Sequence, residues 1–549
     1  MKVKNIGLVL IASVAGSLAA GAKVTLPHIL STGMVVQRDA PLTLWGTADP
    51  GETFTVKVAK GKKAEVTADS AGNWRVELPA LKPGGPYTVT VGDITLDNVM
   101  SGEVLLCSGQ SNMELPVRRV TDMFASEVAS YSNPSIRQFL VPKEFDFHAA
   151  RTDTDGSWTA LDPHTSLDFS ALAYFTALKL NAETGLPVGI INASWGGTPV
   201  ESWISEEYLA DYPALLNKKR EFADDGYRDR IKKLEGENYH RWNTTIDAND
   251  PGLNGPVKYY SPTLDDSGWT TVMIPVGGIA DGTAGLPAES WATDGLNPVN
   301  GSHWFRRSFT LPDSLAGREG VVRMGCIVDA DSVWVNGTFV GSTGYQYPPR
   351  IYPVPAGVLK AGDNNVTVRL ISQNGPGHFV PDKPYLLAVA GDTLSLRGEW
   401  RYSLGAPMPH GPGMEFWCYY PTTLYNAMIA PVTSYPVGNV VWYQGESNVT
   451  TRNTYAGLLK QLIANWRADR GDTTLPFHIV ELADFMHPSR KADRAAWDEM
   501  RRVQARVVDE TDGVSLVRNS DLGEWNDIHP LDKKTLGSRV ADSILRSEK

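Results

Sequence analysis

The sequence is poor in cysteine, with only Cys107, Cys326 and Cys418 among 549 residues. This low, odd count excludes a disulfide-built scaffold, and no pair has the spacing of a zinc site. One disulfide bridge stays open as an alternative to buried thiols. The sequence also lacks a cluster of Lys and Arg, and its formal charge of −11 argues against nucleic acid as the main partner. We therefore expect no metal or other cofactor.

Long hydrophobic runs are also absent, since no stretch after residue 22 reaches the roughly 18 apolar residues of a membrane helix. A shorter apolar run, residues 6–19, follows Lys2 and Lys4 and precedes the small residues 20–22. This order is typical of a signal peptide. We therefore expect residues 1–22 to be cleaved and the protein to be secreted or periplasmic, with an uncleaved anchor as the alternative. The oligomeric state is not indicated.

The sequence is rich in glycine (51), proline (36) and tryptophan (16). Its length of 549 residues predicts three or four domains. Residues 23–100 contain short β-prone runs between turn residues, which favour a small N-terminal β-sandwich. In residues 101–239, buried-type strands alternate with helical spacing and predict a parallel α/β sheet. Strands and turns return over 240–405, and α/β character resumes over 406–549. We predict one α/β domain split by an inserted β domain; separate domains are the alternative.

Four short segments carry residues suited to catalysis, and three of them directly follow predicted strands. Each segment alone is more typical of an ordinary turn, but the carboxyl ends of parallel strands meet at one edge of a sheet. Together they predict a serine nucleophile, Ser111, with a histidine base, His529, because a hydroxyl needs a base to become reactive. The segments are Gly109-Gln110-Ser111-Asn112-Met113, Ser194-Trp195-Gly196-Gly197-Thr198, Gln444-Gly445-Glu446-Ser447-Asn448 and Asn526-Asp527-Ile528-His529-Pro530.

This order of motifs resembles the SGNH hydrolases, and more narrowly the sialate O-acetylesterases and related carbohydrate acetylesterases. The segments 26–29, 34–38 and 424–431 resemble the same family, and the resemblance covers nearly the whole chain apart from parts of the insert. It implies an SGNH-type three-layer α/β hydrolase domain and hydrolysis of acetyl esters on sugars through an acetyl-serine. The motifs are specific for the family but not for the substrate.

The resemblance also implies roles for individual residues. Ser111 would be the nucleophile and His529 the base. The backbone N–H of Ser111 and that of Gly196 or Gly197 would line the oxyanion hole. The side-chain amide of Gln444, or as second choice that of Asn448, would complete it.

The acid of the triad departs from the family pattern. The wider superfamily has an aspartate three residues before the histidine, where this chain has Asn526. Asp527 is therefore predicted as the acid, with a backbone carbonyl or a remote carboxylate as alternatives. Glu201 and Glu446 are expected to have supporting roles.

The insert resembles the jelly-roll sugar-binding domain of β-galactosidase-type glycosidases, on residues 304–309 and 333–341. Because both its ends return to the α/β domain between the second and third motifs, we expect it to wall the active-site cleft. Its tryptophans would supply flat faces for sugars, whereas Trp334 is expected in the core. A scaffold without sugar binding is the alternative.

Two other functional classes are alternatives to the esterase. A glycosidase would need a pair of catalytic carboxylates about 5–10 Å apart, and no such pair stands out. A non-catalytic carbohydrate-binding protein would be expected to lack either Ser111 or His529, and both are present. Among esterase substrates, O-acetylated sialic acid and acetylated hemicellulose, such as xylan or xyloglucan, both stay open.

Overall fold

The computed structural model describes residues 24–128, 131–276, 300–375 and 377–547. The predicted signal peptide, residues 1–22, and Trp291 of the insert lie outside the described residues. Within the described part of the chain, no helix is both long and apolar enough to cross a membrane. The protein is a mixed α/β, multidomain structure that contains a parallel sheet.

Short strands fill the N-terminal part, as the β-prone runs predict. Strands β2 and β5 form an antiparallel pair, and β3, β4 and β6 join β7 in a second sheet. Alternate residues of β3 are buried, the pattern of a strand with one face against a core. The strands are β1 Val35–Gln37, β2 Leu42–Thr47, β3 Thr53–Val58, β4 Lys63–Thr67, β5 Asn73–Leu78, β6 Gly84–Val91 and β7 Ile94–Gly109.

Strand β7 belongs to both the N-terminal part and the parallel sheet. Its first half pairs with β6 in antiparallel fashion, and its second half, residues 103–109, pairs with parallel neighbours. The expected domain boundary between residues 100 and 101 therefore falls inside one continuous strand. Because that strand leads directly to Ser111, the N-terminal sheet and the nucleophile are rigidly connected.

The parallel sheet has the strand order β25-β24-β23-β7-β10-β8-β9, and only β9 runs antiparallel to its neighbour. The strands beyond β7 are β8 Asn133–Leu140, β9 Trp158–Leu161, β10 Val188–Ser194, β23 Asn439–Tyr443, β24 Phe477–Val480 and β25 Val514–Val517. The accompanying helices are α1 Ser111–Glu114, α2 Thr121–Val128, α3 Ala171–Thr184, α4 Pro213–Glu221, α5 Asp225–Asn249, α6 Pro251–Asn254, α7 Arg452–Asp469, α8 Lys491–Asp509 and α9 Lys533–Ser547.

Helices cover both faces of this sheet, and the side chains of β7 alternate between them. Val104 and Leu106 belong to the core that contains α7 and α8, whereas Leu105 and Cys107 belong to the core with α3 and α9. A strand buried on both faces is apolar at every position, which explains the continuous run that predicted it. Helix α3 begins after Ser170, whose hydroxyl accepts the N–H of Ala173, and ends at the left-handed Gly185.

The expectation of strands and turns from residue 240 onward is wrong at its start, because α5 continues to Asn249. Asp224 caps this helix by accepting the N–H of Tyr227, but most of its surface is polar and solvated. A short apolar stripe, Trp242 and Ile246, packs against the last insert strand, and Ile231 nearer the start of the helix packs on a small aromatic cluster. Such a weak stripe gives little helical periodicity in the sequence.

The described part of the insert contains two larger antiparallel sheets around one apolar core, and a short antiparallel pair of two-residue strands at 327–328 and 378–379. The larger sheet has the order β11-β22-β12-β18-β15-β16, and the smaller has the order β17-β13-β20-β21. The strands are β11 Thr270–Ile274, β12 Asn300–Leu311, β13 Gly320–Met324, β14 Ile327–Val328, β15 Ala330–Val335, β16 Thr338–Thr343, β17 Ile351–Val354, β18 Gly362–Ser372, β19 His378–Phe379, β20 Tyr385–Val389, β21 Asp392–Ser395 and β22 Gly398–Met408.

The three cysteines are separate, buried thiols, so the open possibility of a disulfide bridge is not realised. Burial raises the pKa of Cys107 to about 12, that of Cys326 to about 11 and that of Cys418 to about 12. Thiols with such raised pKa values are poor nucleophiles at neutral pH.

Candidate active site

The three strand-end motifs meet at one edge of the parallel sheet. Strand β7 lies between β10 and β23, and its last residue, Gly109, is in register with Ser194 of β10 and Tyr443 of β23. The segments 110–114, 195–198 and 444–448 therefore leave the sheet side by side. Gly109 has a φ of +136°, and a Cβ there would lie 2.1 Å from the Tyr443 carbonyl oxygen, so only glycine fits this crossing.

The histidine motif reaches the same edge and completes a serine–histidine pair. The Nε2 atom of His529 lies 2.8 Å from the Oγ atom of Ser111. Ser111 is the first residue of α1, so its N–H has no acceptor within that helix. His529 is 6% exposed, and burial, with smaller contributions from the charges of Lys533 and Arg119, lowers its pKa to about 3. The imidazole is therefore neutral near pH 7 and can accept a proton.

Asp527 lies beside the histidine but does not bond its ring in this structure. Its Oδ1 atom accepts the backbone N–H of His529 at 2.9 Å and is 3.9 Å from the ring Nδ1 atom. That Nδ1 is buried and has no hydrogen-bond partner among the described residues. Asn526, at the position that holds aspartate in the wider superfamily, instead donates its amide to the carbonyl of Pro381 at 2.6 Å. The Asp527 carboxylate thus lies beside the imidazole, whereas the Asn526 amide is bonded to a residue of the insert.

The glycine pair lies against the nucleophile, as a close backbone approach requires. A Cβ added to Gly196 would be 3.2 Å from the Ser111 Cβ, and one added to Gly197 would be 1.9 Å from the Tyr419 hydroxyl. The N–H of Gly196, however, already donates to the Glu114 carboxylate at 2.6 Å. Glu114 in turn pairs with Lys143 at 2.5 Å. The N–H of Gly196, one of the predicted oxyanion donors, is therefore present but already bonded to a carboxylate.

The amides of Gln444 and Asn448 do not point to Ser111, which differs from the predicted oxyanion role. Gln444 donates to the Thr198 carbonyl at 3.1 Å and to the Asn448 side chain at 2.7 Å, while Asn448 donates to Glu201 at 3.0 Å. Both side chains are fully buried. Because a buried amide must have partners, these two residues join the second and third motifs to each other, and their predicted donor role is not supported.

A second buried hydrogen-bond network, which the sequence does not predict, holds the turn that carries Ser111. Asn112 donates to Glu446 at 2.7 Å and to the Ile528 carbonyl at 2.9 Å, and it accepts from Lys533 at 2.8 Å. Burial raises the pKa of Glu446 and lowers that of Lys533 to about 8. This network links the segments 109–113, 444–448 and 526–530 to one another. A supporting role is expected for Glu446 from the sequence, whereas Lys533 belongs to none of the four motifs.

The insert contacts the histidine loop directly, at residues that no motif singled out. The Lys383 ammonium lies 2.8 Å from Glu524 and 3.1 Å from Asp527. The ring of Tyr347 meets that of His529 edge to face, with 4.9 Å between centroids. The insert therefore lies beside His529, on the side where it was expected to border the active site.

The tryptophans expected to stack on sugars are mostly in the core. Trp304, Trp334 and Trp400 are all buried, as expected for Trp334 alone, and Trp269 is half-buried against Tyr259. Composition shows how many aromatic rings are present but not which face water. Within the described ranges, no group of three or more His, Cys, Asp or Glu side chains is arranged to hold a metal ion.

A serine hydroxyl paired with a neutral, buried histidine at the carboxyl edge of a parallel sheet is the arrangement of serine hydrolases. The family model described as carbohydrate esterase, sialic acid-specific acetylesterase matches residues 101–236 and 407–546, half of the chain. The chain belongs to this family. The two matched segments lie on either side of the insert.

Similar proteins of known name agree with this family. The chain is 30% identical to the mouse sialate O-acetylesterase over 227 residues, 37% of this chain and 41% of the mouse protein. It is 29% identical to the human sialate O-acetylesterase over 228 residues, 37% of this chain and 43% of the human protein. The match thus spans about two fifths of these relatives.

One solved structure covers most of the chain. A carbohydrate acetylesterase from Xanthomonas citri aligns with 94% of this chain and 73% of its own, with a TM-score of 0.54 and 23% identity. At this identity the likeness concerns the fold alone.

Proposed function

We propose that the protein is a carbohydrate O-acetylesterase that works through an acetyl-serine on Ser111. The 2.8 Å hydrogen bond between Ser111 Oγ and the neutral His529 is the observation that carries this proposal. Membership of the carbohydrate esterase family and the names of the curated relatives support the acetyl-sugar substrate. Their named substrate class, sialate O-acetyl esters, is the first candidate for this chain.

The first half-reaction acylates the serine. Ser111 Oγ attacks the acetyl carbonyl carbon while His529 Nε2 takes the hydroxyl proton. The N–H of Ser111 stabilises the oxyanion, and the N–H of Gly196 joins it when the Glu114 carboxylate moves away. One such donor is worth roughly 10²–10³-fold in rate. The carbon–oxygen bond to the sugar then breaks, and His529 returns its proton to the leaving sugar oxygen.

The second half-reaction uses water in place of the sugar. His529 takes a proton from the water, whose oxygen attacks the acetyl carbon, and the bond to Ser111 breaks. That proton passes to Ser111 Oγ, and acetic acid leaves and ionises to acetate in solution. Asp527, with Oδ1 3.9 Å from Nδ1, stabilises the imidazolium that forms in both steps. A charge pair at this distance attracts by about 4 kcal/mol at an effective dielectric constant near 20.

We also propose finer assignments for the domains. The motifs favour an SGNH-type three-layer domain, a sandwich for the N-terminal strands and a jelly-roll, sugar-binding type for the insert. The two antiparallel sheets around one core support this last assignment. The apolar segment at residues 6–19 supports export through a cleaved signal peptide.

One experiment separates the esterase from its two rivals. The purified protein is given 4-nitrophenyl acetate, O-acetylated sialic acid, acetylated xylan and a panel of aryl glycosides. We expect release of 4-nitrophenol and of acetate, without cleavage of any glycoside. Glycoside cleavage would instead indicate a glycosidase, and sugar binding without acetate release would indicate a non-catalytic protein.

A further inference from the structure

Three of the six exposed aromatic side chains in the described part of the chain lie near the Ser111–His529 pair. Large apolar residues are mostly buried in this protein, yet Tyr345 is 55%, Phe416 54% and Tyr347 39% exposed. Each of these rings belongs to a contacting pair or stack near the site, rather than standing alone on the surface. Grouped exposed aromatics mark binding surfaces more often than isolated ones do.

The first group, which we call the insert flank, consists of Tyr345 and Tyr347. The two rings meet edge to face with centroids 6.4 Å apart, and Tyr347 contacts the His529 ring at 4.9 Å. The backbone carbonyl of Tyr347 accepts a bond from Arg119 at 3.2 Å, which fixes this loop to the hydrolase part. Within the insert flank, Tyr347 therefore contacts the catalytic base directly, and Tyr345 contacts Tyr347.

The second group, which we call the glycine flank, consists of Phe416 and Tyr419. Their rings are stacked, with centroids 4.9 Å apart and 18° between the planes. The Tyr419 hydroxyl fills the space that a Cβ at Gly197 would need, and Gly196 next to it lies against Ser111. Within the glycine flank, Tyr419 therefore lies against the loop of Gly196 and Gly197, and this loop lies against Ser111.

The two flanks lie on different sides of the nucleophile. Gly196 and Gly197 follow β10, whereas His529 follows β25, and the sheet order places these strands on opposite sides of β7. Beyond the insert flank, a cavity of about 370 Å³ continues between the insert and the hydrolase part. Its size falls within the roughly 300–1,000 Å³ of small-molecule sites. Its lining is largely apolar with several polar groups, and the aromatic and polar residues include Tyr347, His378, His487, Trp525, Asn526 and Asp527.

We propose that these parts form one extended glycan cleft, so that the substrate is an acetylated oligosaccharide or polysaccharide rather than a single acetylated sugar. The proposal rests on the proposed esterase function and adds the substrate class. Apolar faces of pyranose rings pack on aromatic side chains, so Phe416 and Tyr345 hold sugars on either side of the acetylated residue. The polar groups of the cavity bind hydroxyls of a further sugar.

The test compares substrates of different length in two glycan classes. Acetylated xylose is compared with acetylated xylo-oligosaccharides, and free O-acetylated sialic acid with O-acetylated sialyl oligosaccharides. The wild-type kcat/KM is expected to rise with chain length in at least one class. Tyr345→Ala and Phe416→Ala are expected to lower it about two- to tenfold on the long substrate, mainly through KM, and to leave 4-nitrophenyl acetate unchanged.

Phe339→Ala is the matched control, because this ring is 54% exposed on the insert but packs on Trp334 rather than near His529. This variant is expected to leave kcat/KM unchanged on both the long glycan and 4-nitrophenyl acetate. The proposal is overturned if kcat/KM is independent of length in both classes, or if the two variants affect long glycans and 4-nitrophenyl acetate equally. Failure of the wild type to hydrolyse any acetate, including the aryl ester, would instead refute the esterase function.

Discussion

Replacing Lys383 by methionine tests whether the insert positions the catalytic histidine. The Lys383 ammonium bridges Glu524 and Asp527, and its side chain is only 11% exposed. Burial alone would lower the pKa of Lys383, but the two carboxylates outweigh it and raise this pKa, so the lysine is charged. Methionine keeps most of the side-chain volume but removes the charge. The two carboxylates would then face each other beside His529 without a counter-ion.

The size of the effect follows from the distance and the burial. At 3.1 Å, two unit charges attract by about 5 kcal/mol at an effective dielectric constant near 20. Removing one partner of a buried pair costs about 3–5 kcal/mol, because the other charge is left uncompensated. If half of this cost displaces the loop of Asp527 and His529, kcat falls about ten- to seventyfold.

The assay is steady-state hydrolysis of 4-nitrophenyl acetate, with thermal unfolding measured alongside. Lys383→Arg keeps the charge and is expected to recover most of the wild-type kcat. Lys179→Met is the matched control, since Lys179 also bridges two carboxylates, those of Glu183 and Asp542, but on the outer helices α3 and α9. It should lower stability without changing kcat.

The positioning argument fails if folded Lys383→Met hydrolyses the aryl ester at the wild-type kcat. It also fails if Lys383→Arg is as impaired as Lys383→Met, because the charge would then not be the cause. A loss of kcat in Lys179→Met equal to that in Lys383→Met would show that general destabilisation explains the effect.

Three further predictions concern the catalytic groups. The neutral form of His529 exists above its lowered pKa and is lost as the pH falls through it, so a pH–kcat/KM profile should have its acid limb well below pH 6.5, the ordinary value for histidine; a limb at or above that value would contradict this. Asp527→Asn should reduce kcat at least tenfold more than Asn526→Ala in the aryl acetate assay, and similar rates for the two would remove Asp527 from the mechanism. Glu114→Gln keeps an acceptor for the Gly196 N–H but removes a negative charge near the oxyanion, so kcat should rise severalfold, and a fall would show that the carboxylate is needed.

The sequence predicts the centre of the site because of how parallel sheets are built. Strands buried on both faces appear as continuous apolar runs, and their carboxyl ends meet at one edge. Ser111 and the glycine pair stand directly after such strands, so their proximity follows from local pattern alone. His529 lies more than four hundred positions from Ser111 in the chain and follows no predicted strand, so its assignment rests on the need for a base and on the family resemblance.

The directions of side-chain amides could not be predicted in the same way. Gln444 and Asn448 stand at a strand end, where a donor to the oxyanion is chemically reasonable. In the structure, both are buried and bond each other, Thr198 and Glu201. Whether a buried amide faces a substrate or the protein depends on which partners packing brings within reach.

Contacts made by the insert were the least predictable part of the site. Lys383 and Tyr347 meet the histidine loop across more than 140 residues of sequence, and neither belongs to a recognisable motif. Their roles depend on how two domains pack together. The tryptophan count misled for a related reason, because the rings of Trp304 and Trp400 are buried, whereas those of Tyr345 and Tyr347 are exposed.

The most direct test of the central claim is the kcat of Ser111→Ala on 4-nitrophenyl acetate, measured on protein whose circular dichroism and melting temperature match the wild type. Ser520→Ala, a half-buried serine of the same domain, is the control. If Ser111 Oγ forms the acetyl intermediate, its loss should lower kcat by at least three orders of magnitude, whereas the control should stay at the wild-type rate. A folded Ser111→Ala protein that hydrolyses the ester within tenfold of the wild type would contradict the serine mechanism.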